Sequence, residues 1–446
     1  MGTRLGWKGG NAQVFFLFAK VGGRQAEGTC PRHGRHIRRV LAGFGAGGMD
    51  NARVMKRKEQ AAEPTVVLDA RWVEPRLSGI GRYTLELLRC FGRDAGGFRF
   101  RVWALSGERA GFIREAAGLE GNPAFAFEVF SKGPFSPAGQ LEAAWRLRRA
   151  RAALYHSTNF MVPLPAFPGR CPHRVPCVCN IHDLIPLLHP EYTPRALKTR
   201  FFPVYRALMR AIARRADAVV TGSEAARRDI LAALPVDPDR VTAVWDGVSP
   251  RYSPAPGPRS SARGPFAPKT ILYVGRADPY KNLSGLVRAL ARLVEGGTDA
   301  VLQIAGPPDE RYPEPRRLAR ELGVEPRVRW TGYLDDEALL RAYRSADVLA
   351  HLSLYEGFGL PVAEAMACGT PVVCSNAASL PEIAGDAALL VPPDDPDAAA
   401  EALRRVLTDS ALAERLRAAG FRRAPAFSWP AAAAAVLALY RRLLSP

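Results

Sequence analysis

Nothing in the 446-residue chain approaches the roughly 18–20 uninterrupted apolar residues of a membrane-spanning helix. The oily run from Val14 to Ala19 is shorter than a secretory core and is followed by no small-residue cleavage pattern, so neither a spanning nor an exported protein is expected. Cysteine is scarce and odd in number, seven in all, which excludes a disulfide framework and points to a reducing, cytoplasmic compartment. Cys171, Cys177 and Cys179 surround His173, but their spacing does not form the paired knuckles of a zinc site, and the sequence assigns no metal. Acidic residues are also short: 43 against 62 Lys and Arg, a formal charge of +19. Almost half of that excess lies in the first 60 residues, which are rich in glycine and show neither helical nor strand periodicity. They lack the interleaved aromatics of a nucleic-acid platform, so no nucleic-acid partner is expected. Residues 1–62 read as a disordered basic leader, or as an extension upstream of a start at Met49 or Met55.

Order begins at Thr65-Val-Val-Leu-Asp-Ala70, a β-branched apolar run typical of a buried parallel strand. Strand-like segments at 98–105, 125–130, 154–156, 175–182, 218–223 and 241–245 then alternate with helical ones, including a long stretch from Arg195 to Arg215. Residues 251–269 are a proline-rich linker that no packed element would tolerate. Beyond it the alternation restarts, with strands at 271–275, 300–305, 328–331, 348–352 and 371–375. The expected class is therefore α/β: two doubly wound, Rossmann-like parallel-sheet domains, 63–250 and 270–428, facing a central cleft. The Ala-rich segment 429–446 is expected to be a helix packing back on the first domain.

The densest chemistry is in Tyr355-Glu-Gly-Phe-Gly-Leu-Pro-Val-Ala-Glu364. Glycines at 357 and 359 allow backbone amides to approach a ligand, and Pro361 suits the start of a helix whose N-terminus favours phosphate. Glu356 and Glu364, eight residues apart, can then serve a ligand's reacting end and a pair of hydroxyls respectively. Gly275-Arg-Ala-Asp-Pro-Tyr-Lys-Asn282 follows the first strand of the second domain, where Arg276 and Lys281 can neutralise a diphosphate without metal. In the first domain, Gly79 and Gly81 of Ser78-Gly-Ile-Gly-Arg-Tyr83 form a glycine turn able to line the cleft opposite the cations. His182 and Asp183 end a strand that points at the same opening, and His156 is a lesser candidate of that kind.

These segments resemble the retaining glycosyltransferases of group 1 (family 4), of GT-B fold, over residues 66 to the C-terminus. The resemblance is carried by Gly275-Arg276 with Lys281-Asn282, by Thr331-Gly-Tyr-Leu334, and by the run from Ala346 that includes Glu356 and Glu364. Ser78 to Tyr83, His182-Asp-Leu184 and Thr221-Gly-Ser223 are similar to the mannosyltransferase-like branch. Asp246, in Trp-Asp-Gly, departs from the asparagine that many relatives carry before that glycine.

The resemblance implies a nucleotide-sugar co-substrate, a GDP- or UDP-sugar, and no other cofactor. By position, Arg276 and Lys281 would hold the diphosphate and Glu364 the ribose. Glu356 with the backbone of Gly357, Phe358, Gly359 and Leu360 would hold the sugar. His182 would meet the sugar near the reacting carbon, and Gly79 and Gly81 would lie near the diphosphate. The implied reaction is transfer of a hexose, mannose in the first instance, to a glycan or lipid-linked glycan in polysaccharide biosynthesis, without metal and gated by closure of the domains. The implied location is cytoplasmic, with room for peripheral contact at the inner face of the membrane. The alternatives left by the residues are an epimerase or phosphorylase of the same architecture, or a non-catalytic glycan- or nucleotide-binding relative.

Overall fold

The computed structural model describes residues 63–255, 267–307 and 309–445. The basic leader and the middle of the proline-rich linker lie outside the described residues. Two parallel sheets organise the rest. The first joins β1 (Thr65–Asp69), β2 (Arg99–Ala104), β3 (Phe125–Val129), β4 (Leu154–Ser157), β5 (Cys177–Asn180), β6 (Ala218–Thr221) and β7 (Val241–Ala243) in the order β3-β2-β1-β4-β5-β6-β7. The second joins β8 (Lys269–Val274), β9 (Ala300–Ala305), β10 (Val328–Gly332), β11 (Val348–His351), β12 (Val372–Ser375) and β13 (Ala388–Val391) in the order β10-β9-β8-β11-β12-β13.

Helices cover both faces of each sheet, which is why the central strands are apolar on both sides. In β1, Val66 and Leu68 enter one core with the C-terminal helix, while Val67 enters the other with Trp103 and Tyr155. Each sheet reverses its strand order at one place, between β1 and β4 and between β8 and β11. Loops leaving the carboxyl ends of strands on either side of such a reversal diverge and leave a crevice. The segments following β8 and β11 are those that carry Lys281 and Glu356, so the topology alone makes these distant positions neighbours.

The helix Trp429–Leu444 leaves the second domain and packs on the helix Gly79–Arg93 of the first. Tyr440 meets Phe98 edge-on at 5.7 Å, and its hydroxyl lies 2.5 Å from Nδ1 of His156. His156 is therefore fully buried in the core, with Nε2 against Asn180, and it does not face the cleft as the sequence reading allowed. The stretch 195–215 is two helices, Leu197–Arg200 and Phe202–Arg215, broken at Phe201 where Pro203 enters the new first turn. Strand β13 goes unnoticed in the sequence because it is a short edge strand buried mainly at Val391.

Candidate active site

The loop from Ser353 to Gly359 is tied down before any ligand is considered. Ser379 donates its hydroxyl to the carbonyls of Glu356 at 3.0 Å and Phe358 at 2.7 Å. Across the domain boundary, Ser223 of Thr-Gly-Ser caps its own helix and donates to the Gly357 carbonyl at 2.7 Å. A Cβ on Gly357 would fall 2.2 Å from the backbone oxygen of His182, so only glycine permits this approach of the two domains. Gly359, at φ 111°, turns the chain into the helix Leu360–Ala367, whose first turn no side chain caps.

Glu356 sits inside a collar of donors. Lys281 Nζ lies 2.7 and 2.9 Å from its two oxygens, and Oε1 also meets His351 Nε2 at 2.8 Å and the Ser353 hydroxyl at 2.7 Å. Burial pushes the carboxyl up, but Lys281 and His351 outweigh it and hold Glu356 well below the usual carboxylate range. The sequence reading had these two charges meeting different parts of a ligand; in the structure each is already the other's partner.

Arg276 pairs with Asp278 at 2.8 Å and keeps its side chain 56% exposed. It lines a cavity of about 260 Å³ between the domains, together with Gly79 and Arg82 of the first domain and Leu360, Pro361 and Glu364 of the second. A second cavity, of about 350 Å³, opens beside it over Trp330, Tyr312 and Arg316, and the two share Gly275, Gly306 and Pro307. Glu364 accepts from the Tyr343 hydroxyl at 2.7 Å, and burial pushes its carboxyl up to about 6.

His182 donates from Nε2 to the Thr158 carbonyl at 3.1 Å, since that oxygen can only accept, and Tyr83 lies edge-on at 4.9 Å. Burial lowers its proton affinity, so the ring is neutral with Nδ1 left as an acceptor. The structure thus brings His182 against Gly357, and Gly79, Arg276, Leu360 and Glu364 around one cavity. It does not bring Gly81 or the Phe358 side chain there. Gly81 packs on Leu77 and its amide donates to Ser78 at the helix start, while the Phe358 ring is buried against Phe427.

Sequence reasoning missed His351, Ser353, Tyr343 and Arg82. Only Arg82 left a signal, as a cation inside the glycine turn. The expectation of a metal-free reaction goes with the absence of an Asp-x-Asp motif, yet the chain holds two such triplets, Asp237 to Asp239 and Asp395 to Asp397. Asp237 pairs with Arg240 ahead of β7, at the strand end away from the cleft, and Asp395 caps a helix through the amides of Asp397 and Ala398. Cys177 and Cys179 are buried in β5, Cys171 contacts Arg240, and His173 pairs with Asp217 at 3.0 Å. Among the described residues no cluster of three or more His, Cys, Asp or Glu could hold a metal ion.

The architecture is the GT-B fold. Sucrose-phosphate synthase of Thermosynechococcus elongatus superposes with a TM-score of 0.68 at 24% identity, over 85% of this chain and 99% of that one. Anabaena HepE, solved with UDP-glucose, does so with a TM-score of 0.64 at 19% identity, over 84% and 99%. Residues 261–423 match the family described as glycosyl transferases group 1, and residues 78–247 match the glycosyl transferase 4-like domain. O-antigen chain mannosyltransferase B of Escherichia coli is 33% identical over 296 residues, 64% of this chain and 73% of that protein. The chain belongs to the group 1 glycosyltransferases and is a glycosyltransferase.

Proposed function

We propose that the protein transfers mannose from GDP-mannose to a hydroxyl of a growing glycan, free or lipid-linked, with retention at the anomeric carbon. The observation that carries this reading is the interdomain cavity where Arg276, Glu364, Gly79 and the Leu360 helix start converge, while Lys281 and Glu356, outside its lining, pair with each other. The mannosyl assignment is supported by the Escherichia coli relative, and the nucleotide-sugar class by the HepE complex. In this reading the base occupies the larger, mostly apolar cavity, Glu364 accepts from the ribose, and Arg276 stabilises the departing diphosphate. Its negative charge would draw Lys281 away from Glu356, leaving that carboxylate to accept from sugar hydroxyls.

With Lys281 drawn away, Glu356 still has His351 and Ser353 against Oε1, and a carboxylate so held, accepting also from sugar hydroxyls, is a poor nucleophile. Front-face displacement therefore suits the site better than a covalent glycosyl intermediate. The bond from the anomeric carbon to the diphosphate oxygen breaks and the acceptor oxygen bonds on the same face. The acceptor proton passes to the leaving phosphate. No step in this reading calls for a metal ion.

The outer face of the helix Pro137–Arg149 bears on the acceptor. Leu141 is 64% and Trp145 55% exposed, Arg149 stacks on Trp145 at 4.7 Å, and Arg146, Arg148 and Arg149 fill the last turn. Arg146 is paired with Glu142 and Glu128, but an exposed apolar pair flanked by Arg148 and Arg149 is suited to an anionic bilayer, where a lipid-linked acceptor would be held. No helix among the described residues is long and apolar enough to cross a membrane.

The decisive experiment offers GDP-, UDP- and ADP-sugars to the purified protein and follows nucleotide release and the configuration of the product. GDP-mannose should be turned over with retention, and Arg276→Ala and Glu356→Gln should each lower turnover by about 10²–10³, the scale of one preorganised charge contact. Inversion, preference for another donor, or near-normal turnover in both variants would remove the corresponding part of the reading.

A further inference from the structure

Arg82 stands in the first turn of the helix Gly79–Arg93, on the first domain, yet its charge is spent on the second. Its Nη2 lies 3.0 Å from Asp336 Oδ1, while the other Asp336 oxygen pairs with Arg251. Asp336 is thus shared between two guanidiniums, and Arg82 keeps charge to spare. The same side chain lines the 260 Å³ cavity together with Glu364.

We infer that Arg82 is a positioning residue for the nucleotide: from the opposite domain it holds Glu364 as the ionised carboxylate that accepts the ribose hydroxyls. The inference rests on the ribose reading of Glu364 given above. Its consequence is that the ribose site is complete only while the two domains face each other.

The groups around Glu364 come from three elements. Tyr343 and Asp336 belong to the helix Asp336–Ser345, Arg251 and Tyr252 to the segment after β7, and Arg82 to the first domain. Burial raises the carboxyl toward 6 and Asp336 adds to the rise; Arg82 opposes it, aided by the hydrogen bond from Tyr343. Without Arg82, burial and Asp336 act less opposed. Glu364 then takes up its proton at a higher pH and loses acceptor capacity in the neutral range.

A bare interdomain strut between Arg82 and Asp336 would behave differently, and the sign separates the two. GDP and 2′-deoxy-GDP binding, followed calorimetrically against pH in the full-length protein, is the measurement. In Arg82→Gln the pH at which ribose-dependent binding is lost should move up by about one unit. GDP should then bind about twofold more weakly at pH 7 and about five- to tenfold more weakly from pH 6 to 5, with the preference for GDP over its deoxy form falling in step. Asp336→Asn, which breaks the same bridge but removes an anion, should move the transition down. Arg82→Lys should restore most of the wild-type position.

A strut predicts that both bridge variants weaken binding equally at every pH, and that result, or an unmoved transition in Arg82→Gln, overturns the inference. Glu364→Gln keeps the two failures apart. If it leaves GDP and 2′-deoxy-GDP binding as in the wild type, the ribose reading falls and this inference falls with it. If it abolishes the preference while Arg82→Gln leaves the transition in place, only the inference is lost.

Discussion

Asp246 shows how much one atom can alter a site. It is 7% exposed, its Oδ1 has no hydrogen-bond partner, and burial pushes its carboxyl up to about 7. An aspartate whose folded-state pKa lies above its unfolded value binds a proton more tightly when folded. Its fold is therefore fully supported below pH 4 and loses stability as pH rises from about 4 to 7. Asp246→Asn carries no charge to desolvate. It should leave the melting temperature nearly unchanged at pH 4 and raise it at pH 8 by several degrees, for a gain on the order of 2–4 kcal/mol. An equal change at both pH values in thermal melts would show that charge is not the cause. The departure at Asp246 was visible in the sequence, but its isolation was not, because burial depends on what packs over it. Glu356 and Lys281 were likewise legible as types, whereas their mutual pairing and the His351 and Ser353 collar needed three dimensions.

At the scale of elements, the alternation of apolar runs and helical segments located most strands, because parallel strands buried on both faces leave uninterrupted β-branched runs. It failed where tertiary context overrode pattern, at edge strand β13 and at the break before Pro203. In the helix Pro137–Arg149 the run of arginines at 146, 148 and 149 is plain in the sequence, but the exposure of Leu141 and Trp145 is not, since their apolar character reads as core. If that face meets a bilayer, the protein should cosediment with vesicles containing phosphatidylglycerol but not with pure phosphatidylcholine. Leu141→Ser with Trp145→Ser should then weaken the binding by at least about tenfold, with the loss of buried apolar area. Both proteins carry the same basic leader, so equal sedimentation would assign the attraction elsewhere and sink the reading of this helix.

At the scale of the whole molecule, two sheets and a cleft followed from the sequence, while the way the halves are fastened did not. The fastenings are single polar hooks between residues more than a hundred positions apart, which leave no periodic trace. Chief among them is Glu382, whose carboxylate accepts from the amides of Glu224 and Ala225 at 3.0 Å each and from Trp245 Nε1 at 2.6 Å. Glu382→Ala should loosen the closed arrangement, giving a larger radius of gyration in small-angle scattering and a higher KM for the donor with kcat little changed. An unchanged radius would mean that the remaining contacts suffice to hold the halves together. The C-terminal helix carries a different consequence. Tyr440 and its neighbours complete a core begun by β1, yet they follow the entire second domain along the chain. During synthesis the half that emerges first must therefore wait, its apolar flank uncovered, and becomes whole only after the half translated later has already left the ribosome.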